Sequence, residues 1–192
     1  QINVASGSNV TSTNLAGFIA ANGTLQFAGG STFSNVTLAP SRNITITSSN
    51  GSQVTLTGSN PTPVVAATSG ATNVSLVRLT LDSSATGGTG LTAANTGSLT
   101  LTGVQTTSNI SVVGTVNGPS TLNLDYAATS SNLVMTLTST GNVISSNLFG
   151  TAPLTLSSPS TTTFNLELGS GKDEFFLEGP VAGGLIQGNG GD

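Results

Sequence analysis

The residues of this chain that could hold a metal ion are concentrated near its C-terminus. The chain has 192 residues and only seven acidic side chains. Two of them, Asp82 and Asp125, stand far upstream and far apart. The others are Glu167, Asp173, Glu174, Glu178 and Asp192. Because carboxylates are preferred ligands of hard divalent cations, this placement predicts cation binding at the C-terminal end.

Two of these acidic residues end the same short pattern, Gly-x-Gly-x-Asp. It occurs as GSGKD at residues 169–173 and as GNGGD at residues 188–192. Glycine frees the backbone so that carbonyl oxygens can face a cation, and the aspartate adds a carboxylate. Ca²⁺ takes roughly six to eight oxygen ligands. We therefore expect a calcium site formed by Gly169, Gly171, Asp173, Gly188, Gly190 and Asp192.

The stretch from Asp173 to Asp192 is close to the length of two nonapeptides, which suggests one full coil of the chain. Both turns would then lie on one edge with calcium between them. The pattern resembles the calcium-binding nonapeptide of RTX proteins, although Leu168 and Gln187 replace the first glycine of each copy. The resemblance implies an RTX-like β-roll end that continues into further repeats. The alternative is an acidic, glycine-rich linker that binds nothing.

The overall composition excludes several kinds of partner. Three basic residues and a net charge of −4 argue against nucleic acid, since phosphate binding needs clustered Lys or Arg. No apolar run approaches the roughly 20 residues of a membrane-spanning helix, so we expect no membrane insertion. The chain has no cysteine, which excludes disulfides and thiolate metal sites.

One short helix and many strands are predicted. Residues 11–23 favour a helix, because Leu15, Phe18 and Ile19 lie on one face and Asn22-Gly23 supplies a left-handed stop. Elsewhere apolar residues alternate with Thr, Ser or Asn, as in strands with one buried face. These segments are residues 35–39, 43–47, 53–57, 73–81, 98–104, 109–113, 121–126, 132–138, 154–158 and 164–168. The N-terminal INV is a further strand that could join a neighbouring molecule's sheet.

Evenly spaced short strands fit either a β-sandwich or a parallel β-solenoid. A sandwich core normally uses several large aromatics, whereas this chain has seven Phe, one Tyr and no Trp. Its strands carry mainly Val, Leu and Ile, which fill a narrow solenoid. Asn recurs at strand starts, as expected for stacked Asn ladders. The sequence therefore favours an all-β solenoid.

Residues 43–105, with rungs such as NVSLVRLTLDSS and TGSLTLTGV, resemble the right-handed parallel β-helix family, pectin-lyase-like in shape, found in bacterial adhesins and surface proteins. The resemblance implies about 20 to 30 residues per coil. It also implies three regions: an N-terminal cap with the short helix (1–34), a parallel β-helix (35–166) and the RTX-like calcium-binding turns (167–192).

Other candidate sites have plainer explanations. Seven N-glycosylation sequons begin at Asn9, Asn22, Asn35, Asn43, Asn50, Asn73 and Asn109, but Asn before a strand also has a structural use at a turn. Thr-x-Thr pairs start at residues 45, 55, 100 and 136, and their irregular spacing argues against an ice-binding face. Catalysis is not expected, since Asp82 and Asp125 are isolated in the sequence and the chain has no histidine.

These observations predict a non-enzymatic structural protein on the bacterial cell surface or outside the cell. Copies of the chain would self-assemble into a surface layer such as an S-layer, a fibre or a matrix, with calcium ordering the C-terminal repeats. Low charge removes repulsion between copies, and the ends of a solenoid expose unpaired strand edges. The alternatives are an adhesin stalk that binds a surface glycan and a polysaccharide-degrading β-helix enzyme.

Overall fold

A computed structural model describes most of the chain. The described residues are 1–8, 10, 22–58, 62–68, 70–71, 73–83, 88–94, 97–106, 109–112, 121–128, 133–137, 143–147, 154–156, 163–178 and 186–189. Within them the protein is all-β, with strands arranged in three sheets.

The first sheet has eight strands, all parallel. In spatial order they are β1 (Ile2–Val4), β2 (Gly23–Phe27), β4 (Ile44–Ser48), β7 (Asn73–Val77), β10 (Ser98–Thr102), β13 (Thr121–Asp125), β17 (Thr163–Glu167) and β19 (Ile186–Asn189). The second sheet is also parallel and contains β3 (Thr32–Val36), β5 (Val54–Gly58), β8 (Leu79–Asp82) and β11 (Gln105–Thr106).

The third sheet has seven strands. They are, in spatial order, β6 (Val65–Ala67), β9 (Thr89–Ala93), β12 (Asn109–Val112), β16 (Leu154–Leu156), β15 (Val143–Ser146), β14 (Val134–Leu137) and β18 (Glu174–Leu177). The chain visits the three sheets in turn, as in β4, β5, β6 and then β7, β8, β9. This order is that of a parallel β-solenoid, so the predicted fold class is confirmed.

The strand register gives the length of each coil. Leu25 pairs with Ile46, Leu76 with Leu101, and Leu101 with Leu124. The coils from β1 to β13 therefore take between twenty and thirty residues of chain, as the resemblance implies. The coil from Leu122 to Phe164 is longer, because it also contains β14, β15 and β16. The right-handed sense of the coil stays a prediction, and it is the sense that parallel crossovers favour.

Aliphatic side chains fill the interior because every second residue of a strand points inward. In β4 and β5, buried and half-buried residues alternate strictly. Ile46, Leu76 and Leu101 occupy one register position in neighbouring coils and are fully buried. Each such side chain contributes about 1.5–3 kcal/mol of burial free energy. Near the N-terminal end Phe27 and Phe33 make an edge-to-face contact, with ring centroids 4.9 Å apart.

Two local expectations are wrong. Residues 73–81 form two strands rather than one, because Arg78 adopts a left-handed φ of 54° and turns the chain from β7 into β8. Its guanidinium Nη1 donates to the carbonyl of Gly51 at 3.0 Å, which holds this corner. Gly23 is the first residue of β2 rather than a helix stop.

Residues 11–21 of the predicted N-terminal helix lie outside the described part of the chain. The residues that are described include no α-helix, and none of their segments is a helix long and apolar enough to cross a membrane. The three predicted regions stay predictions; strands of the same first sheet lie in all three.

The parallel stacking is interrupted in the third sheet by an antiparallel meander, which the alternating pattern did not predict. β14 pairs antiparallel with β15, and β15 pairs antiparallel with β16. Only the short segments 138–142 and 147–153 join these strands. Parallel neighbours in a sheet need a connection of about a dozen residues or more, so such short links permit only antiparallel pairing.

Tyr126 connects three passes of the chain through the core. Its hydroxyl donates to the carbonyl of Val104 at 2.8 Å, and its backbone N–H donates to the carbonyl of Glu167 at 2.8 Å. The side chain is almost completely buried. Burial, with a smaller contribution from the nearby charge of Asp125, raises the pKa of Tyr126 well above the ordinary phenol value.

We expect Tyr126→Phe to lower the free energy of unfolding at pH 7 by about 1–3 kcal/mol, because the buried Val104 carbonyl loses its partner. Urea denaturation measures this change.

The free energies of unfolding of the wild-type protein and of Tyr126→Phe should become more similar at high pH. A raised folded-state pKa means that the unfolded state ionises first, so the neutral tyrosine stabilises the fold fully below about pH 10 and progressively less above it. The wild-type protein therefore loses stability above about pH 10 while Tyr126→Phe lacks this loss. Parallel stability curves for the two proteins would contradict this account of Tyr126.

Candidate functional site

The turn between β17 and β18 contains the first predicted calcium motif. Gly169 is buried in this turn, and Gly171 and Asp173 are half-buried. Asp173 Oδ1 accepts a hydrogen bond from the backbone N–H of Leu133 at 2.9 Å. The next residue, Glu174, donates its N–H to the Leu133 carbonyl at 2.8 Å. The turn is therefore fastened to the start of β14, much earlier in the chain.

The second oxygen of this carboxylate is the unusual feature of the turn. Asp173 Oδ2 is buried and has no hydrogen-bond partner. An ionised oxygen removed from water without a partner is costly, and such atoms commonly indicate a water molecule or ion bound at the site. The residue thus fits the cation expected from the sequence. In the described part of the chain no three acidic residues converge on one point, so backbone carbonyls or water would supply the remaining ligands.

The second predicted motif is only partly described. Gly188 lies within β19, opposite Leu166, rather than in a turn. The step from Leu166 to Gly188 is longer than the step from Asp173 to Asp192, so the two aspartates are not in register by this pairing. Gly190 and Asp192 lie outside the described residues, and a calcium ion shared between the two motifs therefore stays a prediction.

A second candidate surface is the outer face of the first sheet. The register places its outward side chains in three rows that cross the strands. The first row is Asn22, Asn43, Asn73, Ser98, Thr121 and Thr163; the second is Thr24, Thr45, Ser75, Thr100, Asn123 and Asn165; the third is Gln26, Thr47, Val77, Thr102, Asp125 and Glu167. Charge in these rows is confined to the two residues that end the third row.

The first row forms the asparagine ladder that the sequence predicts. Asn22 Oδ1 accepts from the N–H of Asn43 at 3.1 Å, and Asn43 Oδ1 accepts from the N–H of Asn73 at 2.9 Å. Asn73 Oδ1 then accepts from the hydroxyl of Ser98 at 2.9 Å. Three of the sequon asparagines therefore have a structural use at the corner of the coil.

A groove runs beside this ladder. It encloses about 330 Å³ and is lined by the first two rows of β2, β4, β7 and β10 together with the residues just before those strands. Its polar lining comprises Asn22, Thr24, Asn43, Thr45, Asn73, Ser75, Ser98 and Thr100. The groove therefore presents amides and hydroxyls and no charged side chain.

The Thr-x-Thr pairs are better aligned in space than their spacing in the sequence indicates. The pairs at Thr45 and Thr100 lie on the same face of the first sheet, aligned through Ser75 of β7. The sequence spacing of the four pairs is irregular because they belong to different sheets and because the coils differ in length. The pair at Thr55 lies in the second sheet, so the pairs do not form one continuous array.

The structure also contains one pair of acidic residues that was not predicted from the sequence. Asp125 lies directly opposite Glu167 in the neighbouring strand, although β14, β15 and β16 separate the two along the chain. Only the register of the coils could have revealed this pair. Asp125 Oδ1 accepts from the N–H of Ala127 at 3.1 Å, and Oδ2 accepts from the Thr102 hydroxyl at 3.2 Å. Both oxygens of Asp125 thus have partners within the fold.

Comparison with protein-family models, curated proteins and solved structures finds no match for this chain.

Asp173→Asn tests the predicted cation site. The asparagine keeps an oxygen that can accept from Leu133, but it removes the buried charge. We expect the variant to fold and to lose the stabilisation that calcium gives the wild-type protein, which is about 2.7 kcal/mol when calcium is a hundredfold above its Kd. Thermal unfolding in calcium and in chelator measures the difference.

The matched control is Glu174→Gln, which removes the exposed neighbouring carboxylate. It should keep the full calcium effect. If Asp173→Asn gains as much from calcium as the wild-type protein, Asp173 is not a ligand.

Proposed function

We propose that this chain is an extracellular, cell-surface structural protein whose copies self-assemble into a layer, fibre or matrix, and that calcium orders its C-terminal end. The observation that supports self-assembly best concerns the two terminal strands of the first sheet in the described part of the chain. β1 and β19 are its terminal strands, and each pairs on one side only among the described strands. Unpaired strand edges are templates for another chain.

The two terminal strands, β1 and β19, run in the same direction. All strands of the first sheet are parallel. The coil at each end of the sheet takes nearly the same length of chain, from Ile2 to its partner Leu25 at one end and from Leu166 to its partner Gly188 at the other. A second copy could therefore continue the sheet by placing its β1 beside β19. Such a contact joins two different surfaces, one from each copy. Repeating it produces an open filament, unless the rotation between successive copies closes the assembly into a ring.

The backbone of Asn3 faces away from β2, its neighbour among the described strands. The Val4 carbonyl accepts from the N–H of Ala28, so Val4 faces β2. Backbone groups of successive residues point to opposite sides of a strand. The N–H and carbonyl of Asn3 therefore point away from β2, toward the position that a neighbouring copy would occupy.

Charge explains why calcium would matter. The N-terminal strands β1 and β2 carry no charged side chain. Glu167, Asp173, Glu174 and Glu178 lie around the opposite end, so the uncharged β1 of a second copy would remove these carboxylates from water without supplying a counter-charge. A bound cation would supply that counter-charge. A site with so few carboxylates suits the affinities of extracellular calcium modules, with a Kd of about 10⁻⁴–10⁻³ M.

Asn3→Pro tests the contact, because proline removes the outward N–H while leaving the groups that pair β1 with β2. We expect this variant to remain folded and monomeric under conditions in which the wild-type protein assembles with calcium. Sedimentation and electron microscopy measure assembly, and circular dichroism measures folding.

The matched control Asn3→Thr keeps the N–H and should assemble normally. Assembly of Asn3→Pro at the wild-type level would remove β1 from the contact, and a wild-type protein that stays monomeric in calcium would refute self-assembly itself.

A further inference from the structure

The groove on the outer face of the first sheet has a donor and acceptor pattern that the ladder holds in place. The Oδ1 atoms of Asn22 and Asn73 accept hydrogen bonds along the ladder, which directs their Nδ2 groups to act as donors. Both residues are exposed. Because the orientation of these amides is already fixed, a ligand would not have to order them on binding.

Hydroxyl groups provide the other side of the groove. Thr24, Thr45 and Ser75 occupy one register position in three successive strands, β2, β4 and β7. In the part of the chain that the structure describes, their hydroxyls make no side-chain hydrogen bond. Each can both donate and accept, so together with the amides they form a row of unused polar groups along the solenoid axis.

The absence of charge from the groove lining restricts the ligand. None of the lining residues is Lys, Arg, Asp or Glu, so an anionic or cationic ligand would find no counter-charge there. A neutral molecule with many hydroxyl groups would find donors and acceptors in each coil. In the three rows of this face the charged residues are Asp125 and Glu167, which lie in β13 and β17, beyond the strands that line the groove.

The spacing between equivalent polar groups along the groove further restricts which ligands could bind. Neighbouring strands of a sheet lie about 4.8 Å apart, so each coil offers a new amide or hydroxyl at that interval. This interval is comparable with the length of one sugar ring in an extended chain. A linear glycan lying parallel to the solenoid axis would therefore meet a similar set of groups at each successive ring.

We propose that this groove binds a neutral, linear polysaccharide, with the Thr24–Thr45–Ser75 hydroxyls and the Asn22 and Asn73 amides bonding its hydroxyl groups. The site spans four strands of one copy, so binding needs no assembly and is independent of the contact at Asn3.

The experiment measures binding of soluble neutral hexasaccharides (cello-, malto-, manno- and chitohexaose) by calorimetry, with oligogalacturonate as the acidic comparison. We expect at least one neutral chain to bind. The variant Thr24→Val/Thr45→Val/Ser75→Ala removes three hydroxyls without touching the ladder, and we expect it to bind that chain about tenfold more weakly or worse, a loss of about 1.4 kcal/mol. Its melting temperature should be unchanged.

The matched control is Thr55→Val, which removes an equally half-buried hydroxyl from the outer face of the second sheet. It should bind as the wild-type protein does. The proposal is overturned if no neutral chain binds, if only oligogalacturonate binds, or if Thr55→Val weakens binding as much as the triple variant. It is also overturned if the protein shapes growing ice crystals while binding no sugar, because the hydroxyl rows would then order water.

Discussion

Each coil of this protein depends on the coils beside it for its backbone hydrogen bonds. A strand such as β7 pairs with β4 on one side and β10 on the other, and an isolated strand could satisfy neither set of N–H and carbonyl groups. The constraint that one coil must lie in register on the next explains the rest of the structure. It aligns Ile46, Leu76 and Leu101 in one interior column, and it aligns Asn22, Asn43 and Asn73 in the ladder at the corner.

The same constraint determines what the sequence could reveal. Alternating runs such as ITITS and SLTLT predict strands because inward and outward residues follow a period of two, and the structure confirms both runs as β4 and β10. The scarcity of aromatic residues favoured a solenoid over a sandwich, and the three sheets agree. Short strands with few β-branched residues, such as β6 (VAA), carried too weak a pattern to be predicted.

Register, in contrast, could not be deduced from the sequence, because coil length varies with loops that carry no periodic signal. Asp125 and Glu167 therefore looked unrelated although they are cross-strand neighbours, and Thr45 and Thr100 looked irregular although they share a face. The antiparallel meander of β14, β15 and β16 was in principle detectable, since its two connections are too short for parallel neighbours. The burial of Asp173 Oδ2 could not be predicted from the sequence, because it accompanies a contact with Leu133 much earlier in the chain.

We propose that the solenoid continues from one copy to the next through β19 and β1. Fibre diffraction of assemblies grown in calcium tests this claim most directly, because head-to-tail stacking places the spacing between strands along the fibre. We expect ordered filaments with a reflection at about 4.8 Å parallel to the fibre axis. Filaments with this reflection perpendicular to the axis, or a protein that remains dispersed as single copies in calcium, would contradict the claim.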